Sequence, residues 1–323
     1  MKRRAAVAAI AAFAAWPRVA MSQRVYRIST LVHGPEKAWS TRIAALKAGL
    51  KEHGYVEGRN YVLVSRWNEA GLERLSELAA ELLREKPDIV VCAPALTAAA
   101  VHKHSSTVPI VQGNGAGAVK IGLAKSFARP GGNVTGLETQ SEDLTAKHME
   151  LLKTVAPKIS RLAMLNTGKY LFHEEAWQAA KLAAPALKLE LVDVRVSAPS
   201  ELAKLASACG KGGCNALYVM PDPDLNNWRA EIIAMAARLK LPAVYIQPEF
   251  AQEGGLISYS ANFEDLWRRA AGYIDRILKG AKPGDLPIER PTRFEMVINL
   301  KTAKALGLTI PPSVAARADQ VIQ

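Results

Sequence analysis

The chain has 323 residues, 42 lysines and arginines against 30 aspartates and glutamates, and a formal charge of +12. The basic residues are scattered, and no Lys/Arg run carries interleaved aromatic residues, which argues against a nucleic-acid-binding face. With only three cysteines at this length, the sequence excludes a small fold that depends on disulfides.

Residues 1–22 are predicted to be a cleaved export signal. Three basic residues at positions 2–4 precede the apolar segment 5–16, which is shorter than the roughly 20 apolar residues that span a bilayer. Ala20-Met21-Ser22 fits a small-x-small cleavage site and leaves Gln23 as the first mature residue. The general secretory and twin-arginine routes both stay open, and the absence of a cysteine near the cleavage site argues against a lipid anchor. We therefore expect a periplasmic protein.

The predicted mature chain keeps 301 residues, since 22 of the 323 are removed, and its charge falls from +12 to about +8 with the loss of four basic residues. This length suits two domains better than one core. The predicted elements of the first part, in chain order, are strand RVYRISTLV, a helix with Trp39, Ile43, Leu46 and Leu50 on one face, strand NYVLVSRW, helix LERLSELAAELLREK, strand DIVVCA, a helix around LTAAAVHKH, strand VPIVQG, a helix around KIGLAKSFA and strand VTGLE.

The alternation of strands and helices then starts again. The predicted elements of the second part are helix EDLTAKHMELLKTV, strand RLAMLN, helix FHEEAWQAAKLAAPAL, strand LELVDVRV, helix SELAKLASA, strand NALYVM, helix NNWRAEIIAMAARLK and strand PAVYIQ. A further amphipathic helix, FEDLWRRAAGYIDRILKG, precedes a last strand and a short capped helix in PTRFEMVINLKTAKALGL. This order predicts two doubly wound, parallel α/β lobes.

In such lobes, ligands bind outside the carboxyl ends of the strands. The loops that follow predicted strands are HGPEKAW, APALT, QGNGAGAVK, NTGKY, PDPDLNN and QPEF, and all six are placed to line one cleft. The loop QGNGAGAVK lacks the spacing of a dinucleotide fingerprint, and the sequence carries neither a P-loop nor a G-x-S-x-G nucleophile elbow.

Two carboxylates in MPDPDL, Asp222 and Asp224, leave three interpretations open: an acid/base pair, a partner for a ligand ammonium group, or a solvated loop. His102 and His104 are two residues apart with no third ligand type nearby, so we expect no metal and no other cofactor. Cys209 and Cys214 are close enough in sequence to pair in an oxidising compartment.

Several segments carry a resemblance to a known family. They are GLKEHGYVEGRNY, FARPGGNVTGLE, KHMELLKTVAPKISRLAML, EGGLISYSANFEDLWRRAAGYIDRILKGAKPGDLP and PTRFEMVINLKTAKALGLTIPPSVAARADQVIQ. In order, they cover essentially the whole mature chain, and the chain resembles the ABC-transporter substrate-binding proteins of the TrpX-like type.

The resemblance implies the type I periplasmic binding-protein fold with a three-segment hinge. Lobe 1 would contain residues 23–137 and 259–290, and lobe 2 residues 138–258 and 291–323. It also implies a monomeric, non-catalytic receptor that captures a small molecule, an amino acid or an aromatic compound, and delivers it to an ABC permease of the inner membrane.

The resemblance implies that Thr97, Asn166 and Asp222 bind ligand. Further candidates lie in or beside the same strand-end loops: Gln112, Asn114, Tyr170, Asn226, Tyr245 and Phe250. The hydroxyl of Thr97 suits a ligand carboxylate or a helix cap, Asp222 suits an ammonium group, and Tyr245 and Phe250 suit either a flat ligand or the core.

One position departs from the family pattern. Relatives commonly carry Asp-Pro where this chain has Gly117-Ala118, so Gln112 or Asn114 would have to supply the polar group on that side of the cleft. For Trp39, the helix position favours the core. Two alternatives to an importer remain: an exported receptor that presents its ligand to a sensor protein, and a periplasmic α/β enzyme that uses Asp222 and Asp224.

Overall fold

The computed structural model describes residues 24–139 and 144–323, so the predicted export signal lies outside the described residues. These residues form two α/β lobes, each built on its own sheet. The prediction of two parallel-sheet lobes is confirmed.

The first lobe has a five-stranded parallel sheet in the order β2-β1-β3-β4-β5. Its strands are β1 (Tyr26–His33), β2 (Tyr61–Asn68), β3 (Ile89–Ala93), β4 (Ile110–Gly115) and β5 (Val134–Glu138). Its first helices are α1 (Glu36–Glu52), α2 (Leu75–Arg84) and α3 (Ala95–His104), with a short 3₁₀ helix at Leu72–Arg74. All five residues of β3 are buried, because helices cover both faces of the sheet.

The helix expected around KIGLAKSFA does not form, and that prediction was wrong. Residues 120–128 make turns and bends between β4 and β5. Gly122 has a φ of +77°, in the left-handed region, which interrupts the right-handed helical backbone at that point. Leu123 and Ala124 are nevertheless buried, so the apolar residues that suggested a helix pack singly against the lobe.

The second lobe has a seven-stranded sheet in the order β12-β11-β10-β9-β8-β6-β7. Its strands are β6 (Arg161–Asn166), β7 (Glu190–Arg195), β8 (Ala216–Val219), β9 (Ala243–Tyr245), β10 (Ile257–Ala261), β11 (Phe294–Asn299) and β12 (Gln320–Ile322). Its helices are α4 (Thr145–Val155), α5 (Leu171–Leu187), α6 (Ala203–Ala208), α7 (Pro223–Asn227), α8 (Arg229–Arg238), α9 (Pro248–Gln252), α11 (Leu300–Ala305) and α12 (Pro312–Ala315). Only the β10–β11 pair is antiparallel among the described ladders.

The chain passes between the lobes three times. It crosses once between β5 and α4, returns after β10, and crosses again into β11. Between the last two crossings, α10 (Phe263–Leu278) packs against α1, β4 and β5 of the first lobe, and a 3₁₀ helix follows at Pro283–Asp285. The lobe boundary expected at residue 259 falls inside β10, all of which pairs within the second sheet.

The segment after the last crossing is tightly specified. The side chain of Asn299 caps α11 by accepting a hydrogen bond from the Thr302 amide at 3.1 Å, and Gly307 follows that helix with a φ of +66°. Strand β12, which the sequence did not reveal, pairs with β11 at the outer edge of the sheet.

Candidate ligand-binding cleft

A cleft lies between the two lobes, at the carboxyl ends of their strands. It holds a cavity of about 80 Å³, which suits a small solute rather than a polymer. The lining residues come from both lobes: His33, Trp39, Arg42, Pro94, Asn114, Ala116, Thr139 and Phe263 from the first, and Pro221, Asp222, Pro223, Asn226 and Gln247 from the second.

The first-lobe wall is built around the guanidinium of Arg42, which is only 4% exposed. Its Cζ lies 5.3 Å from the ring centroid of Trp39 and 5.0 Å from that of Phe263, so both rings are within cation–π distance of the guanidinium. Its Nη1 donates to the Ala38 carbonyl at 2.9 Å and its Nη2 to Oε1 of Glu249 at 2.8 Å. The Nε–H is buried and finds no hydrogen-bond acceptor among the described residues.

Further aromatic contacts fix this wall in place. The indole nitrogen of Trp39 donates to the His33 carbonyl at 3.0 Å, and its ring lies 5.7 Å from that of Trp267. Trp267, which is fully buried in α10, donates in turn to Oδ1 of Asn114 at 2.6 Å. This bond fixes the Asn114 side chain with its amide nitrogen left over for other contacts.

On the second-lobe wall, Asp222 is fully buried and its two carboxylate oxygens are both occupied. Oδ1 accepts from the backbone amides of Asp224 at 2.8 Å and Leu225 at 3.3 Å, which caps α7. Oδ2 accepts from the amide and the hydroxyl of Thr167 at 3.1 and 2.6 Å, and Nε2 of His173 lies 3.2 Å away. With four hydrogen-bond donors around it, the carboxylate has a structural role, and the geometry does not favour the expected ammonium contact.

Asn226 follows Asp222 by one helical turn and faces the same cleft. Its Oδ1 is buried and accepts no hydrogen bond from the described residues. Since the two ends of an asparagine amide are assigned from their surroundings, this side chain offers the cleft either an acceptor or a donor.

Three polar contacts join the lobes around the cleft, a hydrogen bond from His33 and two ion pairs. His33 Nε2 lies 3.1 Å from Oδ1 of Asp224, Arg42 pairs with Glu249, and Lys120 pairs with Glu175. Contacts of this kind describe a closed arrangement of the two lobes.

The first of these pairs has a defined direction. Asn68 donates to Nδ1 of His33 at 2.9 Å, which leaves Nε2 as the donor to Asp224. Burial alone would raise the pKa of Asp224, but hydrogen bonds from His33 and from Lys169, at 2.8 Å, outweigh burial and hold that pKa below its usual value. Asp224 is therefore a carboxylate engaged on both sides, and the acid/base interpretation of Asp222 and Asp224 loses its geometric basis.

Of the residues predicted to bind ligand, Asn114, Asp222 and Asn226 line the cleft. Thr97 and Gln112 are not among the lining residues, and both are fully buried. The hydroxyl of Thr97 donates to the Pro94 carbonyl at 2.8 Å within the first turn of α3, so it neither faces the cleft nor caps the helix.

Tyr245 and Phe250 also lie away from the cleft. Their rings stack on each other with centroids 4.6 Å apart and an interplanar angle of 15°, inside the core of the second lobe. Of the two roles left open for them, the geometry favours the core.

Asn166 and Tyr170 border a separate cavity of about 270 Å³ at the ends of β6 and β7. Asn166 donates to Oδ1 of Asp193 at 2.8 Å. Tyr170 also borders an apolar cavity of about 100 Å³ between the lobes, which shares Pro94 and Ala116 with the cleft.

The sequence interpretation missed His33, Arg42, Gln247 and Phe263 as lining residues, and it placed Trp39 in the core. A signal for two of them was present. Arg42 interrupts the apolar face of α1 three residues after Trp39, and His33 ends a buried strand at the edge where ligands bind.

Within the described part of the chain, no cluster of three metal-ligating side chains occurs, and no helix has the length and apolar character to cross a membrane.

Comparison with known proteins decides the family. A family model described as "ABC transporter substrate binding protein" matches residues 28–322. The chain belongs to this family. A curated relative of this substrate-binding protein is a tyrosine-binding protein of Clostridioides difficile, 25% identical over 288 residues that cover 88% of this chain and 81% of the relative.

Solved structures show the same fold. The ABC domain from Streptococcus pneumonia in complex with L-Trp superposes with a TM-score of 0.85 at 23% identity, covering 92% of this chain and 99% of the other. A ligand-free, open substrate binding protein with adhesive properties from Clostridium difficile gives a TM-score of 0.69 at 21% identity, with the same coverage of both chains. These relatives are solute-binding proteins rather than enzymes, and the chain is a substrate-binding protein of an ABC system.

Proposed function

We propose that this protein is the exported solute receptor of an ABC importer. It captures one small molecule, an amino acid or an aromatic compound, between its lobes in the periplasm and delivers it to an inner-membrane permease. The observation that carries this proposal is the cleft itself, in which aromatic side chains and hydrogen-bonding groups from two separate lobes meet across three polar contacts.

The physical basis is the cost of bringing the lobes together. Each inter-lobe pair forms only on closure, and a solute that contacts both walls adds its own binding free energy to the closed state alone. The three crossings between lobes supply the hinge that this cycle needs. The two relatives named for tyrosine binding and for a complex with L-Trp support an aromatic solute.

Native mass spectrometry of the protein purified from the periplasm of its own host tests the proposal. A single small molecule should co-purify, and calorimetry should show that it binds with one-to-one stoichiometry. A ligand at 100 times its dissociation constant should add about 2.7 kcal/mol to the free energy of unfolding. A protein that carries no solute and is stabilised by no member of a metabolite panel would contradict the proposal.

Uptake measured in a deletion strain separates the importer from a sensor-linked receptor. Loss of uptake of the bound solute is expected for an importer, whereas unchanged uptake would assign the protein to signalling. Recovery of the solute chemically unchanged after long incubation is the expected result for a receptor and would be absent for an enzyme.

A further inference from the structure

The charged side chains that line the cleft are already compensated by other protein groups. The positive charge of Arg42 faces Oε1 of Glu249 at 2.8 Å. The carboxylate of Asp222 accepts four hydrogen bonds from its own lobe and its side chain is 0% exposed, and His33 lies between Asn68 and Asp224. Among the described lining residues, each charged group is therefore either paired or filled with hydrogen bonds and inaccessible.

Beside the cleft, Oε2 of Glu249 is a buried carboxylate oxygen with no hydrogen-bond partner among the described residues. Glu249 does not belong to the described residues that line the cleft, and its charge is already opposed by Arg42. A ligand ammonium group would have to reach past that guanidinium to contact it.

The unfilled hydrogen-bonding capacity of the cleft has a different character. Among the described lining residues, it includes Oδ1 of Asn226, the amide nitrogen of Asn114 and the Nε–H of Arg42. The first is a neutral acceptor and the second a neutral donor. The third is an extra donor on a cation whose charge is balanced, which suits a carbonyl or hydroxyl oxygen.

The rest of the cleft lining is mostly apolar and includes two aromatic side chains. The indole of Trp39 and the ring of Phe263 lie on the first-lobe side, and prolines at 94, 221 and 223 complete the lining. The adjoining apolar cavity of about 100 Å³ extends this surface towards Ile121.

From these observations we infer that the solute is an uncharged aromatic molecule with a carbonyl, amide or hydroxyl group, held by Asn114, Asn226 and Arg42, and not a zwitterionic amino acid. The inference rests on the proposed function and chooses between the two solute classes that it leaves open.

Desolvation is the physical reason for this choice. A charged group that enters a closed cleft loses its hydration, and it needs a partner of opposite charge to recover that cost. Here Arg42 would first have to give up Glu249, and Asp222 would have to give up hydrogen bonds that hold its own loop. A neutral group meets unfilled donors and acceptors without breaking any pair.

A series of four ligands on one ring tests the inference by calorimetry on the full mature protein. The series is 4-hydroxyphenylacetamide, which is neutral, 4-hydroxyphenylacetate, an anion, tyramine, a cation, and tyrosine, a zwitterion. The neutral member should bind at least tenfold more tightly than each of the others, which corresponds to about 1.4 kcal/mol. Equal or tighter binding of any charged member, or no binding by all four, would overturn the inference.

A variant sharpens the test by adding the missing charge. Asn226→Asp should lower affinity for the neutral ligand about tenfold and move the preference towards tyramine, because it places an unbalanced carboxylate at the cleft. Asn215→Asp is the matched control, because Asn215 is exposed and directly precedes β8. It lies at the amino ends of the strands, away from the cleft at their carboxyl ends. A preference that stays with the neutral ligand in both variants would contradict the role given to Asn226.

Failure of this inference is distinguishable from failure of the proposed function. If the solute found by native mass spectrometry is charged, the receptor function stands and the inference falls. If no solute is found and none of the four ligands binds, both fall together.

Discussion

On the first-lobe side of the cleft, the rings of Trp39 and Phe263 lie near the guanidinium of Arg42, which pairs with Glu249 of the second lobe. On the second-lobe side, the carboxylate of Asp222 accepts hydrogen bonds from its own lobe. The side chains of the first wall are therefore placed to contact a solute, whereas the carboxylate of Asp222 on the second wall stabilises the loop to which it belongs. From this contrast we expect substitutions on the two walls to separate affinity from stability.

The strongest test of the contrast removes the carboxylate of Asp222. Asp222→Ala leaves the buried donors of Thr167, Asp224 and Leu225 without an acceptor, and we expect the free energy of unfolding to fall by about 3–5 kcal/mol. Urea denaturation followed by circular dichroism measures it. Asp222→Asn, which keeps one acceptor, should lose less. A stable Asp222→Ala protein that no longer binds any solute would instead make Asp222 a ligand contact.

The second prediction concerns how the stability of the protein depends on pH through His148 of the second lobe. His148 is fully buried, donates from Nε2 to the Tyr259 carbonyl at 2.5 Å and accepts from the Tyr218 hydroxyl at 3.1 Å. Burial outweighs the Tyr259 bond and lowers the pKa of His148 from 6.5 to about 4.

The unfolded chain therefore binds more protons than the native protein between pH 4 and pH 6.5, so stability falls as the pH drops through this window. The His148 contribution to that fall should reach about 3 kcal/mol at pH 4. Urea titrations at several pH values measure the slope, and His148→Gln should flatten it. An unchanged slope in that variant would assign the effect to other groups.

The third prediction concerns β11, which belongs to the framework of the second lobe. Val297 is 2% exposed, and Phe294 stacks on Tyr259 with ring centroids 5.9 Å apart. Val297→Ala should cost about 2 kcal/mol of unfolding free energy and leave solute affinity within about twofold, because neither side chain lines the cleft. Phe294→Ala should follow the same pattern. Loss of affinity without loss of stability in either variant would contradict it.

The smallest expected effect compares two ion pairs between the lobes. Arg42–Glu249 is largely buried on the arginine side, whereas the side chains of Lys120 and Glu175 are 48% and 35% exposed. Glu249→Gln should weaken solute binding about tenfold, because closure would then bury the Arg42 charge without its partner. Lys120→Gln should change the affinity less than about twofold, since exposed pairs contribute little. Similar effects of the two variants would show that burial of the pair does not matter.

The sequence predicted the fold well because each lobe repeats a strong local pattern. In short apolar strands such as β3 and amphipathic helices such as α2, the local sequence alone shows which residues will be buried. The pattern failed at Gly122, where a single left-handed backbone angle determines that no helix forms. It also failed at β12, because a three-residue strand is too short to show apolar alternation.

The cleft was less predictable because its key pairs are remote in sequence. His33 and Asp224 are 191 residues apart, and Arg42 and Glu249 are 207 residues apart. The position of Asn114 in a strand-end loop correctly predicted that it lines the cleft. No local sequence pattern, however, predicts which residue of the first lobe contacts which residue of the second. For the same reason, nothing in the loop PDPDLNN revealed that Asp222 bonds to Thr167.

The three crossings between the lobes also have a consequence for how the protein is made. Helix α10 covers α1 and the first sheet, yet a ribosome synthesises it only after most of the second lobe, and β11 and β12 come last of all. Domains of continuous sequence fold in turn as they emerge, but the first lobe here lacks α10 until β6 to β10 of the second lobe have been made. The first lobe therefore completes its core only after most of the second lobe has been synthesised, and the second lobe completes its sheet only after the first lobe is whole.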